Sequence, residues 1–316
     1  MAKQMKAAVY DAFGGAAKVQ VKTLDVPELQ EGEVLVRIKA AAVNPVDSAV
    51  REGYLKDFLP YEFPVIPGWD VAGVVEERGF SARRFAVGDE VYAYARRPLV
   101  KYGTYAEYIV LPESYLSRKP QNLSFEETAG IPLVGLTAYQ SLFDAGKLQQ
   151  GQSVLILGAS GGVGTIAIQL AKEKGATVIG VASEKNHSYM KELGADHTIT
   201  YKDTHIGDSV KEVLPEGVDL IFDCASGETL EQALSALKPS GKLVSILNQG
   251  QDLDKSIDFA YVFVEPNSSQ LDRLRELAEA GKLKVHVSET YKLQETAEAM
   301  RQIETKHTTG KIVIVP

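Results

Sequence analysis

The sequence predicts an α/β protein whose central region is a doubly wound parallel sheet. The first observation is a glycine-rich turn at residues 158–164, between an apolar run and a helix-like segment. The second is that strand-like and helix-like segments keep alternating; the apolar runs are Ser153–Leu157, Thr177–Ala182, Val218–Phe222 and Lys242–Leu247. Such strands need crossover helices and burial on both faces, which a parallel sheet provides.

The glycine-rich turn is the clearest sign of a ligand. Strict G-x-G-x-x-G spacing is not met, because Ala159 stands where its first glycine would fall. Glycines nevertheless let the backbone approach an anion, and free N–H groups at the start of the next helix meet its charge. We expect a dinucleotide pyrophosphate to bind at Gly158, Ser160, Gly161, Gly162, Val163 and Gly164. The alternative is a tight turn with only a structural role.

The remaining segments suggest a second domain. Short strand-like runs broken by glycine and proline indicate a β-barrel-like unit; they are Ala7–Tyr10, Val34–Lys39, Val74–Glu76, Glu90–Tyr94 and Tyr105–Val110. A helix at Glu295–Glu304 and a strand at Lys311–Val315 should fold back onto it. We predict one domain from residues 1–122 and 284–316, and a dinucleotide-binding domain from 123–283, with a cleft between them.

Length and composition set further bounds. At 316 residues the chain exceeds a usual single domain. A formal charge of -8 argues against nucleic-acid or anionic-membrane partners, so we expect a small-molecule partner. No apolar stretch approaches the roughly 20 residues that span a bilayer, and we predict a cytoplasmic protein. The single cysteine, Cys224, excludes an intrachain disulfide and a multi-cysteine zinc site.

Seven segments in order resemble the medium-chain dehydrogenase/reductase superfamily, specifically its zinc-free quinone oxidoreductase branch. They are Ala41–Asp47, Ile66–Gly73, Val87–Val91, Gly103–Tyr108, Gly135–Ala138, the glycine-rich turn and Gly310–Val313. The resemblance implies a GroES-like barrel, a Rossmann domain and an oligomer. We expect a homodimer in which Asp258–Val264 is the edge strand that extends the Rossmann sheet across subunits.

The chain departs from the zinc-dependent branch at the positions that the resemblance assigns to metal ligands. Asn44 stands at the cysteine position, and Gly68-Trp69-Asp70 replaces a Gly-His-Glu motif. Tryptophan cannot ligate zinc and asparagine is a poor substitute for a thiolate. The histidines at 187, 197, 205, 286 and 307 show no paired spacing. We therefore predict a protein without a metal.

Loss of a Lewis acid favours activated double bonds as substrates. Hydride added to a quinone or an α,β-unsaturated carbonyl sends charge to a conjugated oxygen, where hydrogen-bond donors or water can neutralise it. The predicted activity is hydride transfer from NADPH to such an acceptor.

The end of the second strand favours NADPH over NADH. Ser183 is small and Lys185 is basic, and Tyr201 matches a tyrosine that contacts the 2′-phosphate in related enzymes. Asn186 falls where those enzymes have a lysine, and Glu184 is close enough to repel a phosphate.

The resemblance carries over further cofactor contacts residue by residue. Thr137 matches a threonine near the nicotinamide, with a helix residue as the alternative reading. The others are Asn44, Ala225, Leu247, Asn248 and Lys311; a terminal barrel strand explains Lys311 equally well.

The candidate catalytic residues are Asn44, Asp47 and Tyr54, and the candidate substrate contacts are Tyr54 and Trp69. Asn44 can donate a hydrogen bond. Asp47 has the alternative role of orienting Arg51. Tyr54 resembles, within one position, a proposed proton donor of enoyl-thioester reductases, although strict counting gives Leu55 and a surface role is open.

Two other functions stay open. An enoyl-thioester or alkenal reductase should have basic groups at its cleft mouth, for which the candidates are Arg83, Arg84, Arg96, Arg97 and Lys101. A redox sensor without significant turnover would bind NADPH and not oxidise it.

Overall fold

A computed structural model describes residues 3–202, 205–305 and 308–316. The strands, in chain order, are β1 (Gln4–Val9), β2 (Gln20–Asp25), β3 (Glu33–Val43), β4 (Asp70–Arg78), β5 (Glu90–Tyr94), β6 (Tyr108–Pro112), β7 (Leu116–Arg118), β8 (Ser153–Leu157), β9 (Thr177–Ala182), β10 (His197–Thr200), β11 (Val218–Asp223), β12 (Leu237–Ser245), β13 (Asp258–Tyr261), β14 (Val287–Lys292) and β15 (Lys311–Val315). The α-helices are α1 (Pro45–Glu52), α2 (Phe125–Ala129), α3 (Pro132–Tyr139), α4 (Gly162–Glu173), α5 (His187–Glu192), α6 (Ile206–Val213), α7 (Gly227–Ala233), α8 (Ser268–Glu279) and α9 (Thr296–Glu304).

The chain divides into two units. The first unit comprises Met1–Leu133, Pro266–Ala280 and Val285–Pro316, and the second comprises Val134–Glu265 and Gly281–Lys284. These bounds differ from the predicted domains, because residues 123–133 and 266–280 belong to the first unit. Helix α2 packs on β3 and β4, and α8 packs on β7. The hydroxyl of Tyr92 on β5 also donates to the carbonyl of Leu271 on α8 at 2.6 Å.

The first unit is built on a seven-stranded sheet. Its order is β14-β15-β3-β4-β5-β7, with β6 also paired to β3, and β1 and β2 form a separate antiparallel pair. Apolar side chains from β3, β4 and β6 fill its core, among them Val36, Val71 and Leu111. Strand β15 pairs antiparallel with β3 and parallel with β14, so the prediction that the last segment returns to the first domain is confirmed.

The second unit is the predicted doubly wound sheet. Its six strands are all parallel in the order β10-β9-β8-β11-β12-β13. Strand β9 has the predicted bounds, whereas β12 begins five residues before the predicted start at Lys242 and ends two residues before Leu247. The predicted edge strand lies at the edge next to β12, but it ends at Tyr261 instead of Val264.

The described helices contain no segment that is both long and apolar enough to cross a membrane.

Candidate active site

The glycine-rich turn joins β8 to α4 in the second unit. Gly158 has φ +74°, a conformation that L side chains rarely adopt, and α4 begins at Gly162. A Cβ added to Gly164 would lie 2.5 Å from the Gly158 carbonyl oxygen, so the turn closes only with glycine there. The first-turn N–H groups of α4 are available to an anion. The turn therefore fits a dinucleotide pyrophosphate.

Hydrogen bonds connect this turn to the end of β9. The Asn186 amide nitrogen donates to the Ser160 hydroxyl at 3.0 Å and to the Ser183 hydroxyl at 3.2 Å. Lys185 is exposed, and Tyr201 is also exposed. The structure thus brings three predicted cofactor residues together, with Lys185 beside them in the chain.

Two loops follow β11 and β12 at the carboxyl edge of the sheet. The first contains Ala225, whose N–H donates to the Asp223 carboxylate at 3.0 Å. The second contains Leu247 and Asn248, whose N–H groups donate to the Ser245 hydroxyl at 3.1 and 2.8 Å. Ser245 is not among the predicted site residues; the signal for it in the sequence is its position at a strand end, two residues before Leu247.

Thr137 lies on α3, within the second unit, and is buried. Its contact with a cofactor stays a prediction.

A buried polar cluster forms around Asn44 in the first unit. The Asn44 amide nitrogen donates to one oxygen of Asp70 at 2.9 Å, and the ammonium of Lys311 donates to the Asn44 amide oxygen. The Lys311 nitrogen also lies 3.6 Å from Asp70 and 3.3 Å from the Val43 carbonyl oxygen. The second oxygen of Asp70 accepts the Leu133 N–H at 2.7 Å. A lysine and an aspartate therefore fix the orientation of the Asn44 amide.

Asp47 belongs to the same unit and caps the helix on which it lies. One of its oxygens accepts both the Asn44 N–H at 2.8 Å and the Tyr105 hydroxyl at 2.7 Å. The alternative that Asp47 orients Arg51 is wrong. The Arg51 guanidinium instead binds Glu52, Glu304 and the Gly14 carbonyl, since it extends toward α9.

Burial determines the ionisation of this cluster. It raises the pKa of Asp47 to about 7, although hydrogen bonds from Tyr105 and Asn44 act the other way. Burial also raises the pKa of Asp70, against the attraction of Lys311. It lowers the pKa of Lys311, against the attraction of Asp70 and Asp47. Burial thus favours the uncharged form of all three groups, and the attraction between Lys311 and the two carboxylates opposes it.

The two predicted substrate contacts differ in exposure. Trp69 is buried and packs edge-on against Tyr94, with ring centroids 6.1 Å apart. Tyr54 follows α1 and is 71% exposed in the structure. Its neighbour Glu52 raises the pKa of the Tyr54 hydroxyl by a hydrogen bond and by charge.

Contacts with neighbouring groups hold Arg84, Arg97 and Lys101, three of the basic residues considered for a thioester enzyme. Arg97 binds Glu33 at 2.7 Å, Lys101 pairs with Glu62, and Arg84 donates to the Glu113 carbonyl at 3.1 Å.

Matches to known proteins agree with this architecture. Residues 30–121 match the family model "Alcohol dehydrogenase GroES-like domain", and residues 193–314 match "Zinc-binding dehydrogenase". An NADPH-dependent alkenal/one oxidoreductase of Arabidopsis thaliana chloroplasts is 35% identical, over 99% of this chain and 80% of that protein.

Solved structures are equally similar. A quinone oxidoreductase from Coxiella burnetii has a TM-score of 0.88 and 33% identity, over 99% of this chain and all of that one. A structure described as an NAD-dependent alcohol dehydrogenase has a TM-score of 0.91 and 33% identity, over 98% of this chain and 99% of that one.

The fold and the glycine turn define a nicotinamide-dependent oxidoreductase. The chain belongs to the medium-chain dehydrogenase/reductase superfamily, in its quinone oxidoreductase branch.

The name of one matching family implies zinc, and the residues around Asn44 do not fit that metal. Zinc in proteins takes thiolate, imidazole and carboxylate ligands. Here the Lys311 side chain lies against the side-chain oxygens of Asn44 and Asp70 and against the Val43 carbonyl oxygen, in the place that a metal would need. In residues 3–202, 205–305 and 308–316, no three His, Cys, Asp or Glu side chains form a group that could hold a metal. His307 lies outside those residues. That the protein is metal-free stays a prediction.

Proposed function

We propose that this protein is an NADPH-dependent, metal-independent reductase that transfers hydride to a quinone or another α,β-unsaturated carbonyl compound. The observation that carries the proposal is the buried group of Lys311, Asn44 and Asp70. This group stands at the positions that the resemblance assigns to zinc ligands, and the cation within the group is the side chain of Lys311. The relative named as an alkenal/one oxidoreductase and the one named as a quinone oxidoreductase support this acceptor class.

Features of the second unit support NADPH as the cofactor. When bound, NADPH would supply the hydride. Ser160, Ser183 and Asn186 form a polar surface between the turn and β9, with Lys185 exposed beside it. Hydroxyl and amide groups near a lysine suit a 2′-phosphate, whereas a carboxylate at the strand end would bind the ribose hydroxyls of NAD. Fluorescence titration with both nucleotides tests the choice, and equal or tighter NADH binding would contradict it.

Asn44 can contribute a hydrogen bond to the reaction. Its amide group has two N–H bonds, and Asp70 accepts one of them. Because Lys311 fixes the amide oxygen, Asn44 can act toward a ligand only as a donor. A donor is the group needed where negative charge develops on an acceptor oxygen. Proton donation by Tyr54 belongs to the same proposal.

A screen of NADPH oxidation tests the function. The acceptors are quinones, enones, enals and enoyl thioesters, with a saturated ketone as the matched control. We expect turnover of quinones or enones, little turnover of the ketone, and activity that survives chelator treatment. Stoichiometric zinc that is lost together with activity would refute metal independence.

The same screen separates the other candidates. Strong preference for an enoyl thioester would favour the thioester reductase, and tight NADPH binding without turnover of any acceptor would favour the redox sensor.

We also propose a homodimer that pairs through β13, because this strand lies at the edge of the parallel sheet. Light scattering after size exclusion measures the mass, and a monomer would refute it. Cytoplasmic location stays a prediction.

A further inference from the structure

Asp223 ends β11 with both carboxylate oxygens engaged inside the second unit. It is fully buried. One oxygen accepts the N–H groups of Ala225 at 3.0 Å and Ser226 at 2.7 Å. The other accepts the Ser245 hydroxyl at 2.6 Å. This carboxylate therefore holds the loop after β11 and also reaches the end of β12.

Ser245 continues the connection into the second loop. It is fully buried. Its hydroxyl oxygen accepts hydrogen bonds from the N–H groups of Leu247 and Asn248, and its O–H group donates a hydrogen bond to Asp223. Four backbone N–H groups of two loops thus depend on one pair of side chains.

The loop after β11 would not keep its shape by backbone preference alone. Ser226 has φ +62° and ψ -174°, a region that L residues rarely occupy and that costs about 1–3 kcal/mol. Its N–H bond to Asp223 is the described contact that holds it there.

The loop after β11 adjoins the glycine-rich turn. Strand β11 is next to β8 in the sheet, and a Cβ added to Gly158 would lie 3.1 Å from the carbonyl oxygen of Cys224. Ligands of such sheets bind outside the carboxyl ends of the strands, where the strand order reverses. Here the reversal falls between β8 and β11, beside the pair.

A second serine–aspartate pair, at the amino ends of the strands, supplies a comparison. Ser153 begins β8, and its hydroxyl donates to Asp219 near the start of β11 at 2.9 Å. This serine–aspartate pair has the same chemistry and lies at the amino ends of the strands, away from the glycine-rich turn.

We propose that Asp223 and Ser245 are positioning residues that hold both loops in the conformation that receives the dinucleotide. The inference rests on the proposed function, because it requires a nucleotide at the glycine-rich turn. Neither side chain needs to touch the nucleotide; each acts through the loop backbone.

The test compares Ser245→Ala with Ser153→Ala. Each removes one buried serine hydroxyl that donates to an aspartate, so urea unfolding should show a loss of stability in both. NADPH fluorescence titration should show about tenfold weaker binding for Ser245→Ala only. In steady-state assays its KM for NADPH should rise while its KM for the acceptor stays constant.

Asp223→Asn is the second variant, used also if Ser245→Ala does not fold. The amide oxygen of this asparagine can still accept hydrogen bonds from the N–H groups of Ala225 and Ser226. Its NH2 group cannot accept the hydrogen bond from the Ser245 hydroxyl, so weaker NADPH binding is again expected.

The outcomes separate two kinds of failure. The positioning role alone is overturned if Ser245→Ala and Asp223→Asn bind NADPH as tightly as the unchanged protein. It is also overturned if Ser153→Ala weakens NADPH binding as much as they do. No NADPH binding by the unchanged protein overturns the proposed function and the inference together.

Discussion

Replacement of Asp47 by asparagine should change how stability depends on pH. The folded protein raises the pKa of Asp47 from 3.8 to about 7, chiefly by burial. Between these values the unfolded chain is ionised while the folded protein holds the proton, so Asp47 lowers stability as pH rises. The groups that face it are Tyr105, Asp70 and Lys311. An asparagine at this position would not titrate, and its amide oxygen can still accept the two hydrogen bonds.

The magnitude follows from the pKa difference. One pKa unit corresponds to about 1.36 kcal/mol, so this shift makes folding about 4 kcal/mol less favourable above pH 7 than below pH 4. About 3 kcal/mol of that change falls between pH 5 and pH 8. The stability of Asp47→Asn relative to the unchanged protein should rise by this amount over that range.

Urea unfolding, followed by circular dichroism at several pH values, measures the difference. Asp219→Asn is the control, because hydrogen bonds from Lys238 and Ser153 outweigh burial and lower the pKa of Asp219. Its stability contribution is lost only as pH falls through that low value, so its difference curve should be flat from pH 5 to pH 8. A flat curve for Asp47→Asn as well would refute the reasoning.

Four further variants test the site. Gly164→Ala should abolish measurable NADPH binding in a fluorescence titration, because its Cβ would lie 2.5 Å from the Gly158 oxygen; unchanged affinity would contradict the turn's role. Lys311→Met should destabilise the protein by about 3 kcal/mol in urea, since it leaves Asp70 buried without a cation. Adding Asp70→Asn should restore part of that loss, and no recovery would argue against the ion pair. Tyr54→Phe should lower kcat on an enone about a hundredfold if the hydroxyl donates a proton, and an unchanged kcat across the pH range would remove Tyr54 from the mechanism.

The parallel sheet was predictable because its signal is local. The four inner strands of the second unit, β8, β9, β11 and β12, each contain an apolar run, as burial on both faces requires. Helix α8 was assigned to the wrong unit because its amphipathic sequence shows which face is buried and not which surface covers it. The bond from Tyr92 to Leu271, which ties α8 to the first unit, joins positions 179 residues apart.

The site was predictable where a residue type carries its own chemistry. Glycines at a strand end and an asparagine in place of a cysteine are visible in the sequence. The partner of Asp47 was not, because Tyr105 lies 58 residues away and nearby Arg51 offered a plausible pairing. Ser245 was missed because a lone serine has many roles, and only the fold brings it to Asp223.

Lys311 shows why the first unit's charge balance depends on its last strand. Lys311 is the first residue of β15, which pairs with β3 and β14, and it reaches Asn44, 267 residues earlier. Without β15 in place, Asp70 and Asp47 would be two buried carboxyl groups without a cation, and burial would favour protonation of both. Strand β15 therefore supplies the side chain whose attraction opposes the effect of burial on both carboxyl groups and that holds the Asn44 amide as a donor. Since a metal would have to displace the Lys311 side chain, the closing strand of the fold supports the prediction of a protein without a metal.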